Sequence, residues 1–366
     1  MLRISKNAVS AVSIILCAAT SILTASETIS DALVWPELLT EAGLKIVWEN
    51  QLPLKKGETQ DRLYIAGDYF YSFTDTNYII SLNKNDGSFI FGQAYAPKGF
   101  PIIGFELYGD ELFSIIGNQL VEIRAASGIE VSQTRLSFGV SCPAVRNQTN
   151  FYVAGVDRRV HVLTSDKKVE MFKGAADDDS IITSLVAAED KVIFGTETGK
   201  IVAMKYDEPA LLWQFKARDG IAGSLVLDDP ILVAASRDTN VYMLDAETGE
   251  LIWKFQTQAI LDKSPTVTDN AVYQYVWGKG LTAIDRATGR LMWRVPGGLG
   301  LAAESDGKAY VITEGRKLAV MDNELNKELY SVNFADVTLF ISNNEDSHIY
   351  IGDDTGRVAC LKPIEK

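Results

Sequence analysis

From Leu44 onward the chain shows no helical periodicity. Apolar and polar residues alternate in runs of four to eight, separated by Gly, Asp, Asn and Pro, the pattern of short β-strands joined by tight turns. The clearest case is Leu281–Val295. An apolar run ends in Asp285, a turn passes through Thr288 and Gly289, and a second run follows with Trp293 at its centre. This predicts a hairpin in which Gly takes a positive φ and the Asp carboxylate accepts hydrogen bonds from the turn N–H groups. Val241–Phe255 repeats it through Asp245, Thr248, Gly249 and Trp253. Around these hairpins the predicted strands are Gly223–Leu227, Ile231–Ala235, Asn240–Asp245 and Leu251–Phe255 in one period. In the next they are Ser264–Thr268, Ala271–Trp277, Leu281–Asp285 and Leu291–Val295.

Aligned on the Trp of this hairpin, the chain repeats at Trp48, Phe91, Ser132, Phe172, Trp213, Trp253, Trp293 and Tyr330, with steps of 37 to 41 residues from Phe91 to Tyr330. Four short strands per repeat of about 40 residues describe a β-propeller blade. A large aromatic on the fourth strand fits the wedge between adjacent blades. The last period supplies three strands, within Thr338–Ser342, His348–Gly352 and Arg357–Leu361, and then stops. The lone run Lys45–Pro53, with Trp48 in register, supplies the missing one. The expected fold is therefore all-β: an eight-bladed β-propeller of four-stranded antiparallel blades, closed by the N-terminal strand joining the C-terminal blade. Closure in this way leaves no unpaired edge at the seam.

The motif Ala-x-Asp-x-x-Thr-Gly-x-x-x-Trp, complete at Ala283–Trp293, resembles that of the PQQ-like repeat (quinoprotein-type) propeller family, and within it the BamB type of the outer-membrane protein assembly machinery. The resemblance runs over residues 45–366. It is strongest in blades five and six, and blade two departs from it by placing Ser132 where an aromatic belongs. It implies that Trp48, Phe91, Phe172, Trp213, Asp245, Gly249, Trp253, Asp285, Gly289, Trp293 and Tyr330 form the structural motif that docks blade on blade. It also implies a binding scaffold. The alternative is an oxidoreductase or sensor that holds a quinone or another small ligand on the axis, as in PQQ-dependent dehydrogenases.

The N-terminus divides the remaining chain. Residues 1–26 carry Arg3 and Lys6 before the uncharged stretch Ala8–Ala25, which reads as a secretory signal peptide cut after about Ala25 or Ser26. An uncleaved anchor is the alternative. Leu16 before Cys17 is too large for a lipoprotein site, so no lipid anchor is expected. Residues 27–43 form a lead-in with a short helix broken early by Pro36, expected to pack over one mouth of the propeller at 44–366. The destination is the periplasm or the extracellular space. Cys142 and Cys360 fall three blades apart, so no disulfide is expected between them. A formal charge of −13 over 366 residues argues against nucleic acid or an anionic membrane surface as a partner. A monomer is expected, without stable membrane insertion once the signal is removed.

No catalytic, cofactor or metal constellation emerges. Neither Asp177–Asp179 nor Asp353–Asp354 has calcium-loop spacing, and both read as solvated turns. With only His161 and His348 present, a histidine zinc site or a serine triad is not expected, and both read as structural. Asn147-Gln-Thr has the form of a glycosylation acceptor. The turns do differ in charge. The first-to-second turns hold eleven acidic residues against three basic ones, while the second-to-third turns hold seven against eight. The less acidic face, with Arg158, Arg159, Arg237, Trp277 and Lys279, is therefore the predicted docking surface for a protein partner in the cell envelope.

Overall fold

The structure is a computed structural model that describes residues 32–364. The signal-peptide reading lies outside the described residues. Eight four-stranded antiparallel sheets follow one another along the chain, and seven of them are built from consecutive strands. The eighth joins Leu339–Phe340, Ile349–Gly352 and Arg357–Pro363 to Leu44–Gln51. Trp48 pairs with Cys360 across that seam. The eight-bladed propeller and its closure are as the repeat predicts.

Blades pack face to face, so their middle strands are covered on both sides. Lys191–Thr196 and Ile231–Ser236 are buried at every position. The fourth strands alternate instead, because they lie at the rim: Leu251–Gln256 buries Trp253 and exposes Leu251 and Ile252. Each interface is a separate apolar cluster. Between blades five and six, Val233, Val241, Met243 and Trp253 meet Val267, Val272 and Ile284.

Most strand boundaries shift by one or two residues, and two strands are markedly shorter than predicted. The first strand of blade six is only Thr266–Val267, because Pro265 offers the ladder no N–H. Leu339–Phe340 is likewise shorter than the predicted run. The described part of the lead-in does not lie over a mouth. Leu33, Val34, Leu39 and Ala42, on and around helix Pro36–Glu41, join the core between blades seven and eight. Leu33 N–H donates to Glu49 at 2.7 Å.

Candidate functional site

The docking motif is built from the turn upward. In blade five the Asp245 carboxylate accepts the N–H groups of Glu247 and Thr248 at 2.9 and 2.8 Å and the Thr248 hydroxyl at 3.0 Å. These donors hold its carboxyl below the usual range, led by the Thr248 N–H. Asp285 repeats the arrangement with Thr288. The turn so fixed presents a glycine and a carbonyl to the aromatic of the preceding blade. Gly289 has φ +67°, and a Cβ there would stand 2.7 Å from the Trp253 ring. Gly249 meets Trp213 in the same way. The indole N–H groups of Trp48, Trp213 and Trp253 donate to the carbonyls of Lys84, Ala246 and Arg286 at 2.8, 3.1 and 2.8 Å. Trp293 donates instead to the Asn323 side chain at 2.7 Å.

Phe91 lies on Gly128, and Phe172 packs beside the blade-three-to-four core. Tyr330 donates to the Ala42 carbonyl at 3.0 Å. Its partner is the lead-in because blade eight has no third-to-fourth turn: those strands come from opposite chain ends. All eight aligned positions, Ser132 included, also follow a β-bulge on the fourth strand. The bulge turns the next side chain into the interface. Spacing alone showed the register of Ser132, whereas the bulge becomes visible only in the hydrogen-bond ladder.

The first-to-second turns meet around the axis and make the acidic end. A cavity of about 400 Å³ there is lined by Asp228, Asp269, Glu304, Asp306, Glu345 and Asp346, among other residues. Beside it, a cavity of about 370 Å³ between the inner strands of blades two to five contains Glu106, whose carboxyl is pushed up by desolvation.

The opposite face carries the predicted partner residues, but in different states. Arg158 and Arg159 both pair with Asp179 from the next blade-to-blade loop, Arg158 at 3.2 Å. Lys279 is held by the Thr257 carbonyl at 2.8 Å and by Gln258. Among the described residues no side-chain hydrogen bond or ion pair engages Arg237, and Trp277 is 70% exposed. The same face bears Phe100, Val156, Ile181 and Ile260, all exposed. Sequence reasoning missed these four. They sit singly in loops, where an apolar residue has no periodicity to mark it.

Other sequence candidates are absorbed into the structure. Asn147 is buried; its side chain reaches Tyr152 at 3.0 Å and the Ala188 and Glu189 carbonyls at 3.2 Å, pinning blade three to blade four. It is therefore not placed as a glycan acceptor. The aspartates of the Asp177–Asp179 run are not merely solvated, since Lys200 pairs with Asp177 and Asp178. Cys142 and Cys360 are separate buried thiols. His161 is buried and is flanked by two carboxylates that the sequence did not associate with it. Among the described residues no helix is long and apolar enough to cross a membrane.

Residues 204–337 match the family described as outer membrane protein assembly factor BamB. No curated protein matches the sequence. Among solved structures the chain is similar to BamB from Moraxella catarrhalis, with a TM-score of 0.65 at 18% identity, covering 87% of this chain and 97% of that one. It is equally similar in fold to the computationally designed Ika8 protein, with a TM-score of 0.65 at 14% identity over 85% of this chain and 98% of the other. Taken with the repeat and its ring of eight blades, these matches show an eight-bladed β-propeller fold similar to that of BamB, with sequence similarity to the BamB family over residues 204–337.

Proposed function

We propose that the protein is an exported, non-catalytic scaffold that docks protein partners in the cell envelope through the face bearing the second-to-third turns. The observation that carries this reading is Trp277, 70% exposed on a face that also exposes Phe100, Val156, Ile181 and Ile260. The turns of the other face expose Ile129, Val169 and Leu325 but no aromatic residue. Exposed aromatics and arginines free to reach a partner are the side chains that contribute most when an interface excludes water. Arg237 is such an arginine. Because Arg158 and Arg159 are already paired, they contribute orientation more than charge. The match to a family described by outer membrane protein assembly supports an envelope setting.

The test is crosslinking capture from the native envelope with the full chain, comparing Trp277→Ala with Arg237→Glu and with the acidic-face control Asp269→Lys. Loss of the same captured partners in the first two, but not in the control, supports the assignment. Capture unchanged in Trp277→Ala and Arg237→Glu refutes it. Quinone with Ca²⁺ is the companion assay: the scaffold reading expects no dye reduction and no melting shift, and saturable binding with reduction would replace it by an axial enzyme.

A further inference from the structure

We propose that His161 is a proton-operated latch on the turn that presents Arg158 and Arg159, so that the docking face responds to pH. The consequence for docking rests on the scaffold reading above; the latch itself does not.

His161 lies on strand Val160–Thr164 of blade three and is 1% exposed. Phe138, from the loop that enters the blade, stacks on its ring at 3.5 Å between centroids and 10° between planes. That contact fixes the plane of the imidazole. In that plane each ring nitrogen meets a different carboxylate: Nδ1 lies 2.7 Å from Glu170, on strand Glu170–Gly174, and Nε2 lies 3.1 Å from both oxygens of Asp157. A carboxylate only accepts, so both contacts are hydrogen bonds only when both nitrogens carry protons. The neutral ring has one N–H and must face one carboxylate with a lone pair.

The surroundings decide which contact breaks. Glu170 has a second partner, Lys173, at 3.6 Å. Among the described residues Asp157 has no side-chain partner besides the ring, is 43% exposed and can turn to water. Deprotonation therefore leaves the proton between His161 and Glu170 and releases Asp157. Asp157 lies inside the turn Gly155–Arg158, where Arg158 has φ +66° and the chain runs on into Arg159. Both arginines reach Asp179 of the following loop. The titratable and charged groups around the ring are thus Asp157, Glu170 and Lys173, with Arg158, Arg159 and Asp179 one contact further out. Losing the Asp157 anchor frees the turn from which the arginines project.

Only two histidines are present, so His348→Gln leaves a single imidazole to follow by ring NMR in the full chain without any partner. The expected result is that the backbone amides of Gly155–Arg159 shift along the same titration curve as the His161 ring. Their hydrogen exchange, corrected for its intrinsic pH dependence, should rise about tenfold once the ring is neutral, the scale of one lost hydrogen bond. Asp157→Asn should uncouple the turn from the ring while the ring still titrates. His161→Gln should abolish the pH response, with thermal melting reporting that the propeller is intact. A ring that does not titrate while the protein is folded, or turn amides that ignore its titration, would overturn the latch. Because no partner is present, that outcome is separate from failure of the docking reading, which the capture assay decides.

Discussion

The ammonium of Lys168 lies 2.8 Å from the carboxylate of Glu122, both side chains almost wholly buried between blades two and three. Lys168 occupies the turn position that Gly249 and Gly289 fill elsewhere, with φ +55° and its N–H on Thr164 as theirs are on Asp245 and Asp285. Glu122 stands opposite Ser132 in the ladder and accepts from its hydroxyl. Where the fourth strand lacks its aromatic, the next turn lacks its glycine, and an ion pair fills the space that ring and glycine share at the junctions of Trp48, Phe91, Trp213 and Trp253. Arg146 adds a second cation at 3.5 Å from Glu122 and lies over the Tyr108 and Phe151 rings.

Lys168→Met keeps the aliphatic stem and removes the ammonium, leaving Glu122 buried with one weaker cation. A loss of about 3 kcal/mol is expected from breaking a buried pair on one side. Urea unfolding measures it, and adding Glu122→Gln to the same chain should recover part of the loss. Equal midpoints for Lys168→Met and the parent would show the pair to be inert.

The aromatic junctions should fail differently. Gly289→Ala sets a Cβ against the Trp253 ring at a positive φ, a strain of about 1–3 kcal/mol. Trp253→Phe retains a ring but leaves the Arg286 carbonyl without its donor, at about 1 kcal/mol. Trp253→Ala removes both and should cost about 3 kcal/mol or more. The order of denaturation midpoints, Phe above Ala at position 253, is the check.

Stability should fall on the alkaline side. Burial pushes the Tyr95, Tyr152 and Tyr310 phenols up to about 12 from 10.0, and the Cys142 and Cys360 thiols up to about 12 from 9.0. In the unfolded chain these groups release their protons at the lower values, so between them the folded state binds more protons. The stabilisation is complete below the unfolded values and is lost as pH rises toward 12. Denaturant midpoints measured at increasing alkaline pH should decline across this window; a flat profile would contradict the burial of these groups. For the same reason both thiols should resist alkylation until the chain unfolds.

The closing strand should be required for solubility. Removing everything before Leu52 takes away Trp48 and uncovers the edge of Arg357–Pro363, which now pairs with Leu44–Gln51. An exposed edge is a template for intermolecular pairing. Size exclusion should find aggregates, and a monomer with an unchanged melting temperature would argue against the ring closing through this strand.

What the sequence by itself determined is the architecture: strand order, the number of blades, the register of Trp48 against the last strand, and the chemistry of the Asp245 and Asp285 turns. These follow from alternation along one strand and from a repeat of near-constant length, both of which are read in chain order. Tertiary structure alone decided how Lys168 answers Ser132, how Asp157 and Glu170 converge on His161, and where the lead-in lies. It also decided that Asp179 already holds Arg158 and Arg159 while Arg237 and Trp277 stay open. Each of these depends on side chains from separate turns or loops meeting through space, at distances that neither periodicity nor composition encodes.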